Sequence, residues 1–218
     1  VTEEKPLVGI ILAAGEGKRF GGPKQIQAMP NGETLLSRTI AAMRSSGVQH
    51  IVVVAGAHYC QVADVAEANG AMVVRNERWA LGMGSSIKCA VQFVQLHLGD
   101  AISGYLVACA DQAGLTAVHL AFMQIEFFTS TNDIVASEYG QSVGVPAIFR
   151  ASSVNELLQI RDEQGAKPLI TKELSRTKLL RDERLSVDID TREDWFNMLH
   201  ENEIGIDTDR GVKHERYS

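Results

Sequence analysis

The chain has 218 residues, 45% of them hydrophobic and 22% charged, with a formal net charge of −6 at pH 7. That much apolar material can bury a substantial core in one domain, and the acidic balance argues against a general nucleic-acid binder, which would carry a basic surface. No apolar run approaches the ~20 residues of a membrane span, and Val1 to Pro6 is charged rather than leader-like, so neither nucleic acid nor membrane is an expected partner.

The first stretch with chemical content is Val8 to Gln25. Val8, Ile10, Ile11 and Leu12 form a continuous apolar run, the pattern of a strand covered on both faces of a parallel sheet. Ala13, Ala14 and Gly15 then remove side-chain bulk where the backbone leaves that strand, so main-chain N–H groups can come close to a ligand. Gly17, Gly21 and Gly22 keep the loop pliable, and Arg19 and Lys24 add positive charge that can grip phosphate oxygens. The loop suits a polyphosphate. It is not a Walker A loop, because Lys24 follows Pro23 and precedes Gln25, and it is not a dinucleotide fingerprint, because Phe20 stands at the third glycine's place.

Thr34 to Arg44 keeps helical spacing through Leu35, Leu36, Thr39, Ile40 and Met43, and Gly47 stops it. A buried strand from His50 to Gly56, a helix from about Cys60 to Ala68 and a strand at Ala71 to Val74 complete a βαβαβ run. That alternation predicts a single-domain α/β fold, doubly wound, with a mostly parallel sheet. Gly82 and Gly84 open a loop before a helix expected to be capped by Ser85 or Ser86, with Ile87, Ala90, Val91 and Val94 as its buried face. Spacing alone serves a capped helix and a ligand loop equally. Cys89 and Cys109 read as small core residues, Cys60 completes an odd count without a C-x-x-C pair, and a reducing cytoplasm is the expected setting.

The strand Ile102 to Ala110 ends in Ala-Asp-Gln, placing Asp111 where open α/β sheets bind ligands; the alternative is an anion before a helix from Leu115 to Phe128. Asp133 to Ser137 reads as a short strand. In Gly140 to Arg150, Pro146 predicts an edge strand or an irregular entry. Ser186 to Asp190 reads as an alternating strand with Asp188 and Asp190 on one side, followed by a helix capped by Thr191 and running to about Glu201. The domain is expected to occupy residues 1–201, and the polar stretch 202–218 to be a surface tail.

Leu12, Ala13, Ala14, Gly15, Arg19, Gly21 and Lys24 fill the pattern L-A-A-G-x-x-x-R-F-G-x-x-K, which resembles the MobA-like nucleotidyltransferase family. N-x-x-W-x-x-G-M-x-S-S from Asn76 to Ser86, A-D-Q at Asp111, G-V-P-x-x-F from Gly144 and D-I-D-T from Asp188 look most like its molybdenum cofactor cytidylyltransferase branch. The resemblance implies a Rossmann-like nucleotide-diphospho-sugar transferase fold. It also implies that CMP passes from CTP to the phosphate of molybdopterin, with pyrophosphate released, for a recipient molybdenum hydroxylase. By the same resemblance Asp111, Asp190 and Asp188 hold Mg2+, Arg19 and Lys24 act on the triphosphate, Gly82, Ser85 and Ser86 face the base, and Lys167 meets a phosphate. The chain departs from the pattern at Ala113, at Asp162, Glu163 and Lys167, and at Arg192. Use of GTP, another acceptor such as a sugar phosphate or methylerythritol phosphate, and a non-catalytic cofactor carrier are the competing readings.

Overall fold

A computed structural model of the protein describes residues 5–209. Its seven strands are β1 (Leu7–Ala13), β2 (His50–Ala55), β3 (Met72–Arg75), β4 (Gly104–Cys109), β5 (Ile134–Tyr139), β6 (Ser142–Arg150) and β7 (Thr177–Arg181). They form one sheet in the order β3-β2-β1-β4-β6-β5-β7. Pairing is parallel from β3 to β4, antiparallel on both sides of β6, and parallel again between β5 and β7. This is the expected mostly parallel α/β sheet. Every residue of β1 is buried, as its unbroken apolar run demands.

Alternation along β1 divides the core in two. Val8, Ile10 and Leu12 face α3 (Met83–Leu98), α5 (Val154–Leu158) and α6 (Lys167–Lys172). Leu7, Ile11 and Ala13 face α1 (Leu35–Ser45), α2 (Tyr59–Ala68) and α4 (Ala117–Thr129). A smaller cluster of Phe20, Met29, Leu35, Ile189, Trp195 and Met198 seats the last helix, α7 (Arg192–Asp209), against the glycine-rich loop after β1. The helix therefore passes the expected end at Glu201, and residues 210–218 of the expected tail lie outside the described residues. Among the described residues no helix is long and apolar enough to cross a membrane.

Three local expectations need correction. Pro146 is not on an edge: β6 lies between β4 and β5, and the proline sits where their register shifts, at the step from the pair Ala136–Ala147 to the pair Ser137–Gly144. A bulge needs no donor from the proline, so the ladder survives it. Residues 186–190 are not a strand. A 3₁₀ turn at Glu183–Ser186 leads into an extended segment with one antiparallel bridge, Gln112 to Asp188. Finally, neither Ser85 nor Ser86 caps α3. Gly82 does, at φ 123°, a left-handed conformation glycine tolerates, and both serines lie in the first turn.

Candidate active site

The loop after β1 is shaped from inside the protein. Gln25, which is buried, donates through Nε2 to the carbonyls of Ala13 (3.0 Å) and Gly15 (3.3 Å). The amide of Ala57 donates to the Ala14 carbonyl (3.1 Å), and His58 Nε2 lies 3.0 Å from the Glu16 carbonyl. Committing these four carbonyls to the protein holds the loop in one shape, and Gly15, Glu16 and Gly17 line a cavity. Leu12, Ala14 and Gly15 line that cavity; Ala13 is buried on the opposite face of the strand.

The cavity holds about 410 Å³ between this loop, Trp79, Gly82, Met83, Ser86 and Asp111. A second one, about 290 Å³, lies between Met83, Asp111, Gln112, Tyr139, Ser142, Gly165, Lys167 and Asp188. Met83, Cys109 and Asp111 line both, so the two open into one cleft across the ends of β1 and β4. Lys167 donates to Ser142 Oγ at 2.7 Å across the second chamber.

Lys24 joins the acids of the cleft. Its ammonium is 2.8 Å from Asp111 Oδ2 and 2.7 Å from Asp190 Oδ1, and only 14% of its side chain is exposed. Burial works against its charge, but Asp111 and Asp190 outweigh that and hold its pKa above the ordinary value. Arg19 reaches the other oxygen of Asp190 at 2.9 Å from a largely exposed position. Among the described residues no cation pairs with Asp188 in this way. Partial burial, then the charges of Asp111 and Asp190, push its carboxyl up to about 6.

Gln112 fixes the carboxylates in space. It accepts from Cys109 N (3.3 Å), donates to the Val145 carbonyl (2.7 Å), and bridges to Asp188, while Ile189 N donates to the Asp111 carbonyl (3.2 Å). The segments bearing Asp111 and Asp188–Asp190 thus lie side by side. Asp190 and Asp111 reach one ammonium, which puts their oxygens within the span of one small cation. Among the described residues no three His, Cys, Asp or Glu form a complete metal cage. Two carboxylates with an open side nevertheless suit magnesium, which prefers oxygen ligands and fills its shell with water and substrate phosphate.

The loop before α3 is held by Asn76, whose Nδ2 donates to Ser85 Oγ (2.9 Å) and Ser86 Oγ (3.0 Å). Ser86 lines the first cavity. Ser85 does not: its hydroxyl is taken by the carbonyls of Gly82 (2.7 Å) and Arg78 (3.0 Å), so it shapes the loop from behind. The departures from the family pattern also acquire partners. Asp162 pairs with Arg78 (2.9 Å) and with Lys88, bolting its segment to the start of α3 and the loop before it. Arg192 donates to the Phe20 carbonyl (3.2 Å) and lies 4.7 Å over the Phe20 ring, holding the loop after β1 from α7. Gln25, His58, Gln112 and Arg192 were not among the candidate residues, because only their distant partners reveal them.

A buried Asp182–His119–Ser137 chain has the order of a nucleophile triad, with His119 3.3 Å from Asp182 and 2.9 Å from Ser137. Ser137 is fully buried and donates to the Pro146 carbonyl at 2.8 Å, so it meets no substrate and instead braces the β6 bulge.

Residues 9–178 match the MobA-like NTP transferase domain. The chain belongs to that family. Over 91% of its length it is 26% identical to the nicotine blue oxidoreductase of Paenarthrobacter nicotinovorans, of which it covers 98%. Among solved structures it is similar to a Mycobacterium sp. strain JC1 homologue of the tuberculosis protein Rv0371c, with 26% identity, 91% and 97% coverage and a TM-score of 0.76. Rv0371c of Mycobacterium tuberculosis H37Rv itself, solved in complex with manganese, shares the fold at 21% identity, with 89% and 98% coverage and a TM-score of 0.73.

Proposed function

We propose that this NTP transferase is a magnesium-dependent, cytoplasmic cytidylyltransferase that moves CMP from CTP onto the phosphate of molybdopterin for a recipient molybdenum hydroxylase. The observation that carries the reading is that Asp111 borders two chambers, one walled by the phosphate loop and one by Tyr139, Ser142 and Lys167. A reaction joining two phosphorylated substrates needs such a junction. The N–H groups of Gly15, Glu16 and Gly17, with Arg19 and Lys24, would take the triphosphate; Trp79, Gly82 and Ser86 would meet the base, with Ser85 setting the loop's shape; and Lys167 would take the acceptor phosphate as a point charge. Asp111 and Asp190 would hold the ion, with Asp188 nearby. When bound, the ion neutralises charge at the α-phosphate.

No protein nucleophile is required. The acceptor phosphate is ionised at neutral pH, and one of its oxygens forms the new bond to the α-phosphorus as the bond to the bridging oxygen breaks, the electron pair leaving with pyrophosphate. Catalysis is then positioning plus electrostatics, and Lys24 contributes by neutralising charge that grows on the leaving group.

The test is a panel of CTP, GTP, UTP and ATP with molybdopterin and Mg2+, scored by pyrophosphate release. A purine would displace the loop from Gly82 to Ser86 or leave its polar groups unpaired, so CTP should be used about ten to a thousand times more efficiently than GTP. Equal use of GTP would point to the guanine form of the cofactor, turnover only with a sugar phosphate or methylerythritol phosphate to another acceptor, and cofactor binding without pyrophosphate release to a carrier. The relative named as an oxidoreductase favours a second reading, redox chemistry in the same cleft. Transfer of two electrons from a reduced nicotinamide dinucleotide to an added quinonoid dye, with no pyrophosphate released from any triphosphate, would establish that one instead.

A further inference from the structure

The buried chain Asp182–His119–Ser137 meets no substrate, yet its two ends reach the mounts of the cleft. At one end is the bulge of β6. Ala147 pairs with Ala136 and Gly144 with Ser137, so Val145 and Pro146 have no counterparts on β5. The carbonyls of these two residues accept from side chains. That of Pro146 takes Ser137 Oγ (2.8 Å), and that of Val145 takes Gln112 Nε2 (2.7 Å) and the Tyr139 hydroxyl (3.3 Å). The φ of a proline is locked and peptides are planar, so little freedom separates one of these carbonyls from the next. Fixing the first orients the second.

At the other end is the turn at Glu183–Ser186, which leads to Asp188. Asp182 holds that turn. It accepts from the Arg184 amide (3.1 Å) and from the Arg184 guanidinium at 2.9 and 2.7 Å, while its own amide donates to the Glu138 carbonyl (2.9 Å). The Arg184 carbonyl packs on Gly114 so closely that no Cβ would fit there. His119 stands between turn and bulge, with Nε2 2.9 Å from Ser137 Oγ and Nδ1 3.3 Å from Asp182 Oδ2. All three side chains are more than nine-tenths buried. Polar groups at that depth keep to the one arrangement that bonds them.

We propose that His119 is a positioning residue of the cleft: by tying Ser137 to Asp182 it fixes the Val145 carbonyl and, through Gln112, the place of Asp188 beside Asp111. The path is short. Gln112, seated on Val145, bridges to Asp188, and the Ile189 amide donates to the Asp111 carbonyl. Gln112, Tyr139, Val145 and Asp188 all line the second chamber, and none of them lines the first. On the transferase reading, on which the functional half of this inference rests, disturbing His119 displaces the acceptor and leaves the triphosphate in its seat.

Magnetic resonance and kinetics on the full chain test this together. In Ser137→Ala and His119→Phe the side-chain amide resonances of Gln112 should move. In the same variants kcat/KM for molybdopterin, at saturating CTP and Mg2+, should fall about ten- to a hundredfold, as misplacement at a reacting centre does. CTP affinity by calorimetry should stay within about twofold of wild type. His119→Gln, whose amide can still meet Ser137, should recover most of the loss. Ser137→Ala removes one oxygen and leaves the His119–Asp182 pair intact, so it carries the test if His119→Phe does not fold. Gln112 resonances unmoved in Ser137→Ala, or CTP affinity reduced as much as acceptor turnover, would overturn the proposal. A wild type that releases no pyrophosphate defeats the transferase reading instead, and the resonances still decide whether His119 positions Gln112.

Discussion

Lys24 stands between two carboxylates that, on the reading proposed above, also hold a metal ion. An ion entering between Asp111 and Asp190 must displace the ammonium, which is mostly buried and needs another anion; a triphosphate supplies one. Ion and nucleotide should therefore assist each other's binding, by at least about tenfold, or ~1.4 kcal/mol of coupling. In Lys24→Met, Mn2+ alone should bind more tightly than to wild type, while CTP binds more weakly. Titration of the free-ion resonance signal reads the first, and calorimetric titration with CTP the second. Identical Mn2+ affinity in the two proteins would show that Lys24 does not guard the carboxylates.

Asp188 permits a pH prediction with a definite sign. Its folded pKa of about 6 lies above the value of an unfolded aspartate. Between the two, the folded state binds more protons, so stability falls as pH rises through that window and the loss is complete above about 6. Asp188→Asn should thus be more stable than wild type at pH 7.5, by on the order of 1 kcal/mol once solvent on its open side is counted. The difference should close as pH falls toward 4. Melting curves in chelator across that range are the check, and a constant difference would mean that the carboxyl is not strained by its neighbours.

At the scale of elements, the start of α3 and the segment 160–165 behave as one piece. A Cβ on Gly84 would lie 2.6 Å from the Gln164 carbonyl and 2.9 Å from Ile160 Cγ2, and one on Gly82 2.6 Å from the Asp162 carbonyl. Backbone cannot yield as a side chain can. Gly84→Ala should cost about 1–3 kcal/mol and loosen the base loop, weakening nucleotide binding. Gly165→Ala meets instead Met83 Sδ at 2.8 Å, the end of a flexible side chain. Its stability cost should be less than about 1 kcal/mol. Denaturant titration of the pair tests the contrast, and equal costs would deny that the two segments are locked through backbone.

Across the whole molecule, the third hydrophobic cluster draws distant parts of the chain onto the cleft. Trp195 of α7 packs edge-on against Phe20 of the phosphate loop, with ring centroids 5.9 Å apart, and Ile189 is fully buried between the two acids that flank it in sequence. Trp195→Ala should cost about 3–5 kcal/mol if the cluster opens with the rest of the fold. It should also weaken CTP binding, since both the loop and Asp190 lose their support. A variant that melts lower but binds CTP with wild-type affinity would separate α7 from the site.

Much of this protein is written locally. The unbroken apolar run of β1 required burial on both faces, the small residues after it required a bare loop, and the alternation of strands and helices required a layered α/β sheet, because each signal spans only a few residues. Asp111 was legible for the same reason, as a carboxylate at the end of a buried strand. The tertiary structure alone put β6 between β4 and β5 and Pro146 in a bulge rather than at an edge. It alone joined Lys24 to Asp190, 166 residues away, turned Ser85 inward, and gave Gln25, Gln112 and Arg192 their partners. Periodicity and turn chemistry report the neighbours a residue has along the chain, whereas a side-chain hydrogen bond or ion pair depends on which segments the packed core brings together.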